Sequence, residues 1–189
     1  MPPRELLCRL GRFVAVFILI LIPGFWLREV CAADVRALVR LVCADEGLRR
    51  IEFETGESRK MRIVILNRAL MARDGSGPVR NLDVNPVGLI WVPVALLGAL
   101  VFMAPASAAR RATAAALGCG AQQVFVAAVL SFAVWHNSAE IGLGNLSPWL
   151  QATAPRVSGI LLHQITFAGP VVVWFLVAFR REDWSARRS

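Results

Sequence analysis

Apolar and polar positions along this chain fall into three rhythms, each predicting a different kind of element. Long uninterrupted apolar runs come first and last. The first is Phe13 to Leu27, bracketed by Arg12 and Arg28. Its fifteen residues fall short of the roughly 20 that a bilayer core requires. Leu6 to Leu10 extend it if Arg9 and Arg12 snorkel. Pro23-Gly24 predicts a kink or an end, leaving Phe25 and Trp26 as an interfacial anchor. The same basic-then-apolar start followed by Cys31-Ala32-Ala33 also fits a cleaved signal peptide, and that alternative stays open.

A helical rhythm follows between Val30 and Ala44, where Val35, Leu38, Val39 and Val42 share a face opposite Arg36 and Arg40. It predicts an amphipathic helix, lying near a membrane surface or covering a small sheet. Short alternating segments then follow at Ile51 to Thr55, Met61 to Leu66 and Val79 to Val84, with Gly/Ser/Asp-bearing turns between. A meander of two or three antiparallel strands is expected. From Asn85 to Ala109 the charges vanish altogether. Asn81 to Leu89, reading NLDVNPVGL, is therefore a joint: a strand leads through Asn85-Pro86 into a second apolar run, Pro86 to about Ala106. A third runs from Thr113 to Trp135 and a fourth from Val157 to Phe179, with Asn137 to Arg156 as a polar loop. Asn137-Ser138 suggests that the third helix ends there.

The predicted fold is a mainly α membrane protein, with four transmembrane helices and a small α+β extracytoplasmic insertion between spans 1 and 2. Residues 1–29 hold the basic flank and span 1, 30–84 the insertion, 85–181 spans 2 to 4, and 182–189 a basic tail. Arg110-Arg111 and the tail arginines outweigh Arg156 in the opposite loop, so both termini are expected in the cytoplasm and residues 30–84 in the periplasm, the insertion's own arginines notwithstanding.

Composition agrees with that picture. Hydrophobic residues make up 57% of the 189 and the mean hydropathy is +0.57, too apolar for a soluble domain of this size. The net charge of +8 does not indicate nucleic acid, because the arginines sit at the ends of apolar runs and form no stripe with stacking aromatics. Four cysteines without a CxxC make neither a disulfide scaffold nor a zinc site. Cys31 and Cys43 within one helix lie about 18 Å apart, too far to bond.

Candidate chemistry is sparse. Gln122, Gln123, His163 and Gln164 fall inside expected spans, where polar groups either hold helices together or line a substrate or proton path. His136 and Glu140 are four apart, on one helical face, so they form a solvated interfacial pair, an acid/base pair or part of a metal site. Cys119, flanked by glycines, is a packing thiol unless another helix supplies a base. No phosphate-binding loop, metalloprotease or hydrolase motif occurs, and no cofactor is expected.

Two stretches carry a family resemblance. DVNPVGLIWVPVALLGALVFMAP (residues 83 to 105) and LLHQITFAGPVVVWFLVAFRR (residues 161 to 181) resemble the exosortase H-associated membrane proteins of Gram-negative bacteria. The resemblance implies a non-enzymatic accessory or scaffold protein of the inner membrane. Its partners would be an exosortase-like sorting enzyme or that enzyme's exported substrates. No catalytic residues carry over. The other readings are a small oligomeric transport component using the four polar residues, and a membrane enzyme using Cys119 or His136/Glu140.

Overall fold

The computed structural model describes residues 3–43, 47–55, 60–72, 77–104 and 107–143, then 147, 149, 153, 154, 156, 157, 159 and 167–178. Helix α1, Pro3–Leu21, runs into a tighter 3-10 turn, Ile22–Phe25. Pro23 has no N–H to continue the α-helical ladder. Just before this turn, the carbonyl of Ile20 accepts from the indole Nε1 of Trp91 at 3.0 Å. Gly24 is required there: a Cβ would stand 2.1 Å from Trp91 Cδ1.

Helix α2, Arg28–Val42, buries Cys31, Ala32, Val35 and Val39. These positions recur every three or four residues, so one stripe faces inward. It meets the sheet formed by β1 (Arg49–Thr55), β2 (Met61–Asn67) and β3 (Val79–Val84), an antiparallel meander in the order β1-β2-β3. The register pairs Phe53 with Ile63 and Ile51 with Ile65 on one side, and Ile63 with Leu82 and Met61 with Val84 on the other. All seven therefore share the inner face. The outer face carries Arg62 opposite Asp83, joined at 3.2 Å, and Arg50 bonded to Glu52 at 2.7 Å.

After β3, the Asn85 side chain accepts from the Gly88 backbone N–H at 3.2 Å and its carbonyl accepts from that of Leu89 at 2.9 Å. Asn85 thus caps a helix whose first residue is Pro86, with no linker after the strand. This helix opens with a π-type turn, Val87–Trp91, and continues as α3, Val92–Met103. The wide turn directly precedes Pro93, whose ring displaces the ordinary carbonyl partner. Helix α4 covers Ala108–Glu140, 33 residues, about 50 Å at the α-helical rise. Helix α5 is Ala168–Ala178. Helix α3 packs on α1, α4 and α5, and α4 also packs on α2, α5, β2 and β3.

The chain is thus mainly helical with one small sheet. Among the described residues two helical stretches, Leu7–Phe25 and Ala108–Glu140, are long and apolar enough to cross a membrane, while Val87–Met103 is apolar but shorter. Of the expected fourth span, the 11 residues of α5 form its continuous described part.

Helix α4 departs from the sequence expectation in two ways. It continues past Asn137-Ser138, because those side chains bond back along the helix: Asn137 Nδ2 to the Ala133 carbonyl at 2.8 Å, Ser138 Oγ to that of Val134 at 2.7 Å. It stops only at Ile141 and Gly142, whose φ of 79° suits a glycine terminator. The second departure concerns its burial. Val126, Val129, Leu130 and Val134 lie in one core with Cys31, Val35, Val39, Ile63, Ile65 and Val84. The far half of the expected third span is therefore the central strut of the α+β unit. The near half joins the helix bundle, with Ala114 and Cys119 beside Leu97, Val101 and Trp174. Gly118 allows that approach, since a Cβ there would stand 2.7 Å from Leu97 Cδ2, whereas Gly120 faces open space.

Candidate functional site

Three polar places lie along α4 and α2. The first is at the far end of α4. His136 is 4% exposed, so it is a buried group and not the solvated residue that its loop-side position suggested. Its Nε2 is 3.5 Å from Glu140 Oε1, and Glu140 Oε2 is 2.9 Å from Arg80 Nε. The register explains Arg80: it pairs with Ile65 and so lies on the sheet's inner face, toward α4. Close by, Asn67 at the end of β2 is 2% exposed. Its Nδ2 donates to the Ile141 carbonyl at 2.8 Å, and its Oδ1 accepts from the Ala69 N–H at 3.0 Å. Both amide atoms are used, which pins the sheet to the helix end. His136 Nδ1 is buried without a hydrogen-bond partner among the described residues. Among the described residues no group of three or more His, Cys, Asp or Glu could hold a metal ion.

The second place is mid-helix. Gln123 Nε2 donates to Asp34 Oδ2 of α2 at 2.9 Å, a link between the α+β unit and the centre of α4. Gln122, one position earlier, faces α5 instead. It is 1% exposed, neither amide atom has a hydrogen-bond partner among the described residues, and a Cβ on Gly169 would lie 3.1 Å from its Oε1. The two glutamines therefore serve different neighbours. His163 and Gln164, expected opposite them, lie outside the described residues. Cys119 sits half-buried in the apolar cluster with Leu97 and Trp174.

The third place was not anticipated from sequence. A cleft of about 390 Å³, counting its open mouth, lies between the first turns of α2, the end of β1, the start of β2 and Pro86. Arg28, Arg36 and Lys60 line it together with Glu29 and Glu54. Arg36 Nε donates to the Ala32 carbonyl at 3.2 Å and its Nη2 is 3.8 Å from Glu29. Both partners are well exposed, so that pair holds weakly. Arg28 and Lys60 have no ion-pair partner among the described residues.

No family model, curated protein or solved structure matches the chain. What the arrangement can do is thus argued from its geometry. Cys31, near the cleft, has its thiol pushed above the ordinary cysteine range by burial and then by the Asp34 carboxylate. It is a poor nucleophile at neutral pH. In sequence, only the recurrence of arginine at 28 and 36 hinted at the cleft. Lys60 arrives by the β1–β2 reversal, which spacing alone does not place.

Proposed function

We propose that this protein is a non-enzymatic accessory or scaffold protein of the bacterial inner membrane, associated with an exosortase-type sorting system, that binds the sorting enzyme or its exported substrates. In this reading four helical spans place both termini in the cytoplasm and residues 30–84 in the periplasm. The carrying observation is the sharing of α4 between two bodies. Its first half packs with α3 and α5, its second half forms the core of the sheet unit, and the Asn85 cap removes any linker at the other crossing. A sheet held in that way is presented at a fixed height and angle, which suits a docking platform better than a mobile lid.

Exposed apolar side chains support the membrane part: Leu10, Ile18 and Leu19 on α1, Leu117 and Val124 on α4, and Phe175 on α5. In water such a surface would be a liability; lipid or partner helices remove it. The resemblance of residues 83 to 105 and 161 to 181 supports the choice of system. Gln123 bonds to Asp34 of α2 while Gln122 faces α5, which favours this reading over a shared polar path for transport.

Affinity purification of the tagged full-length protein from membranes in mild detergent is expected to recover a sorting enzyme, or exported proteins bearing a C-terminal anchoring signal. Recovery of neither refutes the accessory role. Orientation is tested by placing a cysteine at exposed Asn81 in β3: a membrane-impermeant maleimide added to intact spheroplasts should label it.

A further inference from the structure

The cleft at the base of α2 is flanked by both places where the chain leaves or re-enters the apolar helices. Arg28 follows two residues after Trp26, which with Phe25 ends the first apolar helix and is strongly exposed, at 78%. Pro86, on the opposite wall, opens the helix that leads into α3. A cleft bounded by both crossings lies at the level where lipid headgroups sit, on the membrane placement proposed above. Its enclosed space is small, about 60 Å³, so the cleft takes in only the charged groups of a ligand while the rest lies at its open mouth.

Its charges are mixed in a specific way. Arg28, Arg36 and Lys60 supply three cations, and Glu29 and Glu54 two carboxylates. Arg36 is only loosely engaged by Glu29, and Arg28 and Lys60 have no ion-pair partner among the described residues. A simple anion site would gain nothing from the two carboxylates. A ligand that carries a phosphate and an ammonium on neighbouring carbons answers both signs at once.

We propose that this cleft holds the headgroup of a membrane phospholipid of the phosphoethanolamine class. Arg28, Arg36 and Lys60 face its phosphate, and Glu29 and Glu54 accept from its ammonium. Such a lipid would brace the first turn of α2 against β1 and β2, and so couple the posture of the sheet unit to the composition of the outer leaflet around it.

The test uses the purified full-length protein in micelles. Short-chain lipids with phosphoethanolamine, phosphocholine or phosphoglycerol headgroups, and inorganic phosphate, are titrated and followed by native mass spectrometry. The phosphoethanolamine lipid should bind at one saturable site. The double variant Arg28→Ala/Lys60→Ala should weaken it by roughly tenfold or more, as expected for loss of two charge-assisted contacts. Arg68→Ala, which matches the single charge loss of Lys60→Ala at an exposed position outside the cleft, should leave binding unchanged. Glu54→Gln should reduce the preference for ethanolamine over glycerol headgroups. Protection of Cys31 and Cys43 from maleimide verifies folding, and Lys60→Ala alone, at an exposed position, gives a milder version of the same loss if the double variant does not fold.

Unaltered binding in both Lys60→Ala and the double variant overturns the proposal. So does displacement of the lipid by inorganic phosphate at equal concentration, which would make the cleft a site for soluble anions. Alkaline carbonate extraction of cell membranes separates this failure from that of the membrane placement. A chain released into the supernatant defeats the placement, whereas one retained in the membrane but indifferent to headgroup defeats only the lipid site.

Discussion

Removing the Asn67 side chain tests whether the sheet is fastened to the end of α4. In Asn67→Ala the Ile141 carbonyl loses the donor at 2.8 Å in a place where Ile141 is 6% exposed, so water reaches it poorly. An unsatisfied buried carbonyl costs about 1–3 kcal/mol. The Ala69 N–H also loses its acceptor, but Ala69 is exposed and water replaces it at little cost. With the small void left behind, the loss is about 2–3 kcal/mol, which multiplies the population of the locally opened unit roughly 30- to 150-fold. Maleimide labelling of buried Cys43, under conditions where reclosing outpaces labelling, should accelerate by that factor. Asn67→Asp sharpens the test. It keeps the acceptor for Ala69 but turns the other atom into a carboxylate oxygen facing the Ile141 carbonyl. Burial and that dipole raise the carboxyl's folded pKa above its unfolded value near ~3.9. The folded state then holds the proton more tightly, so the variant is most stable below that unfolded pKa and loses the stability as pH rises through the folded pKa. Asn67→Asp should therefore resemble Asn67→Ala or worse at pH 7 and recover in acid, a response absent from Asn67→Ala. Labelling of Cys43 unchanged in both variants would refute the fastening.

Other expectations follow from single contacts. Gly24→Ala forces a methyl to within 2.1 Å of Trp91 Cδ1; the displaced indole should lower thermal stability in micelles by about 1–3 kcal/mol, with a shift in tryptophan emission. Gln122→Leu replaces an amide that has no partner among the described residues by an apolar group of similar length. It should be neutral or stabilising by about 1 kcal/mol, and a melting temperature clearly below that of the wild type would point to a bonded role for Gln122. The raised pKa of the Cys31 thiol, caused by burial and then by Asp34, means that its alkylation should remain slow through pH 8 and accelerate only at higher pH. Exposed Cys8 should react at neutral pH in the same sample.

Local pattern determined much of this fold. The short apolar-rich segments at Met61 to Leu66 and Val79 to Val84 located two strands, and spacing at Val35 and Val39 located the inner face of α2, although Val42 of the same expected stripe is exposed. Those periods are properties of single elements, so they survive without knowledge of partners. The role of α4 was not legible, because an apolar helix that faces lipid and one that faces a protein core have the same composition. Asn137 and Ser138 misled in the same way: their tendency to end helices yielded to bonds back to Ala133 and Val134. Contacts between distant segments were hidden altogether. Gln123 to Asp34 spans 89 positions and Asn67 to Ile141 spans 74, and no spacing rule reaches so far. The cationic cleft belongs to that class, since it exists only once a hairpin brings Lys60 beside α2.

The unbroken course of α4 makes it a torsion shaft. Turning the bundle about its axis turns the sheet by the same angle, because no hinge lies between Ala108 and Glu140. Inserting one alanine after Gly120 would advance everything beyond it by about 1.5 Å and rotate it by about 100°. The far half of α4 could then keep its bonds to Asp34 and Arg80 only by straining the junction at Asn85, where no linker separates β3 from the next helix. The length of α4 and that junction together set the angle and height of the sheet unit.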